Sequence, residues 1–156
     1  MEKEKLNIQV LLEIALNQRI QGEIEDSLGR ILTLYLRKLN CFAAAIFQED
    51  ALVRVQPQAM LKHKNWLEQA KQLLAGVDLP SQQPVSKVLD DIHWYAIPLD
   101  RYGCLILLRK QALGRDMQRE LGRVAFQLGR DLCQAKEDNV CGCYRNSLTI
   151  LQMRYK

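Results

Sequence analysis

The stretch LRKLNCFAAAIFQEDALVRV, residues 36–55, decides the fold. Its first residues close an amphipathic segment, and Asn40 tolerates the left-handed geometry that stops a helix. Three alanines follow, Ala43 to Ala45, which on propensity alone favour a helix. The context points the other way. Gln48, Glu49 and Asp50 form a short polar link, and the β-branched run LVRV resumes at once beyond it. That pattern predicts two strands joined as a hairpin, with Phe42–Phe47 extended. A strand so rich in small apolar residues suits the centre of a sheet covered on both faces, where helices approach closely.

Outward from the hairpin, the upstream chain reads as two helices. Leu6, Val10, Leu11 and Ile14 lie three and four apart and predict a helix over 6–16. The polar stretch NQRIQGE, with Gly22, breaks it. Ile24, Leu28, Ile31, Tyr35 and Leu39, widened by Leu32 and Leu36, predict a second helix with a broad core-facing stripe. Downstream, Pro57 ends the second strand. Residues 60–75 predict a third helix through Trp66, Leu67, Ala70, Leu73 and Leu74, closed by Gly76. Pro80 and Pro84 mark a loop.

Three further strands follow at 85–89, 92–98 and 104–109, turned by Asp90-Asp91 and by DRYG. A last helix over 113–137 has the strongest period of all: Leu113, Met117, Leu121, Val124, Leu128, Leu132 and Ala135. Tight hairpins imply an antiparallel sheet. The expected fold is therefore α+β, a central antiparallel five-stranded sheet. The N- and C-terminal helices should share one face, with a helix and loop on the other.

Composition bounds the function. The chain has 156 residues, 48% apolar and 26% charged, with a net charge of +4. That is ordinary globular usage. The positive charges are scattered among acids, so no nucleic-acid partner is implied. No apolar run reaches membrane-spanning length, and MEKEK lacks the apolar centre of a secretion signal. Five cysteines, an odd number without framework spacing, suit a reducing cytoplasm.

Three segments together resemble a GAF domain: LLEIALNQRIQGEIEDSLGRILTLYLRKLNCFAAAIFQ at 11–48, WYAIPLDRYGCLILLRK at 94–110, and LGRVAFQLGRDLCQAKE at 121–137. PAS domains share a similar sheet but usually lack the paired flanking helices. The resemblance covers roughly residues 6–137. It implies a regulatory input module of the kind found in histidine kinases and other signalling proteins. Such a module is non-catalytic, binds a small molecule or dimerises through its terminal helices, and so controls an output partner. Residues 1–138 would form the sensor domain. Residues 139–156 fit nothing in the family and are expected as a tail, either folded back in a turn or two of helix or disordered, on a stand-alone or truncated sensor. The subclass marks of the family are missing. There is no Asn-Lys-Phe-Asp-Glu string for cyclic nucleotides, no Cys beside His63 or His93 for a bilin, and no matching cysteine cluster for methionine-sulfoxide reduction. The ligand stays open.

The candidate pocket residues are His63, Trp66, His93 and Tyr95. Each has a plainer reading: a solvated or backbone-bonded histidine, or a packed aromatic. No metal site is expected, since neither histidine has a second ligand at metal spacing and the CGC at 141–143 is half a zinc site at most. In the last helix Gly122, Ala125, Gly129 and Cys133 form a row of small residues. Two mid-helix glycines cost about 1 kcal/mol each, so close approach of another helix is expected there. That helix is either the chain's own first helix or a partner's. Leu6, Val10, Gly122, Ala125 and Gly129 are thus the candidate helix or homodimer contact. Arg115, Arg119, Arg123 and Arg130, set among Asp116, Glu120 and Asp131, read as an ion-paired solvated face. A small thiol-dependent enzyme using Cys41 or Cys104 is the alternative, as is a ligand-free interaction domain. No catalytic residue is assigned.

Overall fold

The computed structural model describes residues 8–155 apart from Asp50, Pro80 and Ser81. Two helices lead, α1 (Ile8–Asn17) and α2 (Ile24–Lys38). The hairpin β1 (Ala43–Gln48) and β2 (Ala51–Gln56) follows. After a 3-10 turn at Gln58–Lys62 come α3 (Lys64–Leu74), β3 (Val85–Leu89), β4 (Ile92–Leu99), β5 (Gly103–Arg109) and α4 (Arg115–Tyr155). The alanine run is a strand, as the hairpin pattern predicts. Asn40 sits at φ +55° and so ends α2 in left-handed geometry. Asp90 and Asp91, at φ +52° and +62°, both adopt the positive φ of a type I′ hairpin turn.

The sheet is antiparallel in the order β2-β1-β5-β4-β3. Its three interior strands, β1, β5 and β4, are the most apolar, because both of their faces are covered. On one face Ala44, Ile46, Tyr95, Ile97, Leu99, Leu105 and Leu107 meet the inner stripes of α1, α2 and α4. Those stripes are Leu11 and Ile14; Leu28, Ile31, Leu32 and Tyr35, with Leu39 just past α2; and Met117, Leu121, Ala125, Leu128 and Leu132, with Leu113 just before α4. On the other face Trp66, Ala70 and Leu73 of α3, spaced four and three apart, pack on Ala43, Ala45, Phe47, Trp94, Ala96, Ile106 and Leu108. Alternation along each strand sorts the residues between these two cores.

Two boundaries differ from expectation. The third helix begins at Lys64, not near residue 60, because His63 is extended at φ −104° and ψ 98°. None of Gln58–Lys62 is fully buried, and only Met60 of that stretch packs against the α3-side core. The last helix does not end near residue 137. Its backbone runs without a break for 41 residues, about 60 Å at 1.5 Å per residue. The stretch expected as a folded-back or disordered tail continues this helix.

The glycine row of α4 has a different neighbour from the one expected. A Cβ on Gly122 would overlap the carbonyl oxygen of Gln82, and one on Gly129 would overlap the backbone of Leu99. The close approach is to the loop before β3 and the end of β4, within the chain. Ala125 is wholly buried in the helix-side core, and Val10 packs half-buried against it. Leu6 lies outside the described residues.

Candidate functional site

Arg109 is the last residue of β5, and alternation puts it on the helix-side face with Leu105 and Leu107. It is only 2% exposed, yet its Nε and Nη1 have no hydrogen-bond partner among the described residues. A guanidinium is always charged, and a buried charge without a counterion is costly by several kcal/mol. Arg109 lines a cavity of about 300 Å³ with Asn40, Cys41, Phe42, Lys110 and Gln111. No carboxylate is among these residues.

The wall opposite Arg109 is built by the turn out of α2. Leu39 and Cys41 donate their backbone N–H groups to the carbonyls of Tyr35 and Leu36, and Phe42 donates to Leu108. The left-handed Asn40 lets the chain make this bend and enter β1 beside the end of β5. Burial pushes the Cys41 thiol up to about 12, with the Arg109 charge pulling the opposite way. The thiol is therefore neutral at physiological pH.

A second and wider groove, about 720 Å³, runs along α2 and the edge strand β2. Arg30, Arg37, Lys38 and Arg54 line it, with Asp26 the one acid in its wall. Two of these cations are engaged. Arg30 donates to the carbonyls of Asn17 and Arg19, and Lys38 pairs with Glu13 at 2.7 Å. Arg54 reaches over Gly29 and leaves its buried Nε without a partner among the described residues.

The sequence candidates lie apart. His63 is exposed at the N-terminus of α3. Trp66 belongs to the α3-side core, edge-on to Phe47 with ring centroids 6.1 Å apart. Tyr95 is in the opposite core, where its hydroxyl accepts the Leu113 N–H at 2.7 Å. His93 is half-buried and directly across from Arg109 in the β4–β5 register. Trp94, not Tyr95, faces α3. The sequence reading missed Arg109. Its signal was a charged residue at the inward-facing end of the apolar run CLILLR.

Among the described residues no group of three or more His, Cys, Asp or Glu is placed to hold a metal ion. No described helix is long and apolar enough to cross a membrane. Set against known proteins, the chain matches no family model and no curated protein.

Proposed function

We propose that this chain is a non-catalytic regulatory module of GAF type, cytoplasmic, that couples small-ligand binding or self-association to the output of a signalling partner. The layer arrangement supports it: helices α1, α2 and α4 cover one face of the sheet and α3 the other, as the resemblance implies. The observation that carries the self-association half is on α1. Its inner residues Leu11 and Ile14 are buried, while Leu12 and Leu16, one turn apart, are 56% and 62% exposed on its outer side. An apolar pair at i and i+4 forms a continuous strip on a helix, and α1 itself packs against α4. A second copy is the occupant this strip fits, joined through terminal helices.

The thiol-enzyme alternative is not favoured. Burial raises both the Cys41 and Cys104 thiols to about 12, whereas a nucleophilic cysteine needs its thiolate near neutral pH.

Light scattering on size-exclusion fractions, across a concentration series, tests the reading with wild type and the Leu12→Glu/Leu16→Glu double variant. The expected result is a wild-type dimer and a folded monomeric variant. A wild type that stays monomeric throughout would remove self-association as the output.

A further inference from the structure

We infer that the cavity between the end of β5 and the start of β1 is an oxyanion site, taking the carboxylate or phosphate group of a small ligand against Arg109 and Lys110. Three observations converge on it. The first is the burial of Arg109, with two guanidinium nitrogens lacking partners among the described residues. The second is the concavity in front of it, about 300 Å³, at the small end of ligand pockets. The third is the charge of the lining, two cations and no acid.

Elsewhere in the described chain two exposed arginines of α4 have acids beside them. Arg119 pairs with Asp116 at 2.9 Å, and Arg123 stands 3.5 Å from Glu120. Arg109 has no such neighbour among the residues of its cavity. Charge-assisted hydrogen bonds from a guanidinium to an oxyanion are about twice as strong as neutral ones, so an incoming anion would supply the missing counterion. Asn40 and Gln111, also in the wall, bring amide donors to the same space. The site gives the proposed input module a ligand class. It rests on that reading only for what binding accomplishes, and its test reads binding alone.

The test is thermal unfolding of wild type, Arg109→Met and Lys110→Gln, titrated with inorganic phosphate or with acetate at constant ionic strength set by sodium chloride. Wild type should gain Tm in a saturable way with at least one probe, since a ligand of the native state stabilises by mass action. A response to phosphate alone assigns a phosphate ligand, and a response to acetate alone assigns a carboxylate. Arg109→Met keeps an unbranched apolar stem without the charge, and should lose the response. Lys110→Gln, at an exposed position, should raise the half-saturating concentration by about tenfold, the loss expected for one charged contact. A second measurement does not depend on how the Arg109 variant folds: amide-resolved NMR of wild type, in which the saturating probe should shift the backbone amides of Asn40, Cys41 and Gln111 but not that of Leu132. No saturable response to either probe, an equal response in Arg109→Met, or unmoved Asn40, Cys41 and Gln111 amides at saturating probe would each overturn the site.

Discussion

The Arg54 guanidinium lies against α2 at Gly29, so near that a Cβ added to the glycine would stand 2.8 Å from Nη2. Gly29 is therefore tied to a charge that crosses from the edge strand β2 to the helix. The atom in the way is the tip of a flexible side chain, which turns aside at little cost. Gly129 meets instead the rigid backbone of Leu99. Both glycines lie inside helices, where alanine gains about 1 kcal/mol in propensity. Gly29→Ala should therefore leave stability within about 1 kcal/mol of wild type. Gly129→Ala should cost at least about 3 kcal/mol, because α4 must lift off the sheet. Urea unfolding of both variants checks the contrast, and equal losses would show that backbone approach does not explain Gly129.

Gln18, nearly inaccessible, ties three helices together. Tyr35 donates its hydroxyl to the Gln18 Oε1 at 2.6 Å, and Gln18 donates through Nε2 to the Val124 carbonyl at 2.9 Å. Tyr35→Phe keeps the ring and strands the buried amide oxygen. The expected loss is about 1–3 kcal/mol. Gln18→Leu removes both amide bonds and orphans the Tyr35 hydroxyl, while the Val124 carbonyl keeps its bond within α4, so the cost should be comparable. In a double-mutant cycle the two losses should fall short of additive. Strict additivity in chemical denaturation would mean the hydroxyl–amide bond contributes nothing.

The parts of this architecture that repeat were readable in the sequence. The stripes of α2 and α4, the polar link after Phe47 and the Asp90-Asp91 turn each follow from local spacing or turn chemistry, and all are present. The alanine run needed more than propensity: it is extended because β2 and β5 flank it on both sides. What the spacing left unsaid is which partner each face meets. Gly122 and Gly129 announced a close approach, but the sequence pattern is the same whether a helix or a strand end comes near. The cavity is a tertiary coincidence of residues 40–42 with 109–111, distant in sequence and joined by the antiparallel pairing of β1 with β5. Only the charge at the end of CLILLR pointed toward it.

On the α3 face, Lys87 of β3 joins two elements. Its Nζ donates to the Gln69 Oε1 at 3.0 Å and the Gln69 carbonyl at 3.3 Å, while standing 5.3 Å from the Trp94 ring centroid. Lys87→Met retains the apolar stem and loses the charge, and should cost about 1 kcal/mol. The Trp94 Nε1 is buried with no partner among the described residues. Trp94→Phe deletes that orphaned donor, which offsets part of the lost packing. Combining the two should reveal a coupling of about 0.5–1 kcal/mol from the cation over the ring. A coupling of zero by urea titration would reduce Lys87 to its hydrogen bonds with Gln69.

Alkaline pH should unfold this protein through groups that the fold keeps neutral. Burial pushes the Cys104 thiol from its ordinary 9.0 up to about 12, and raises the Tyr35 hydroxyl as well. A folded-state pKa above the unfolded value favours the protonated form in the fold. Below pH 9 both states hold the proton and the stability is fully present. Between about 9 and 12 the unfolded chain releases it first, and stability falls by up to about 1.4 kcal/mol per pH unit for each such group. Tyr35 joins the decline only above its ordinary pKa of 10.0. Cys104→Ala removes one contribution. Its stability, measured by urea unfolding at pH 8 and pH 10, should therefore fall less than that of wild type over the same interval. Identical losses in the two proteins would mean that the Cys104 thiol titrates alike in the folded and unfolded chain.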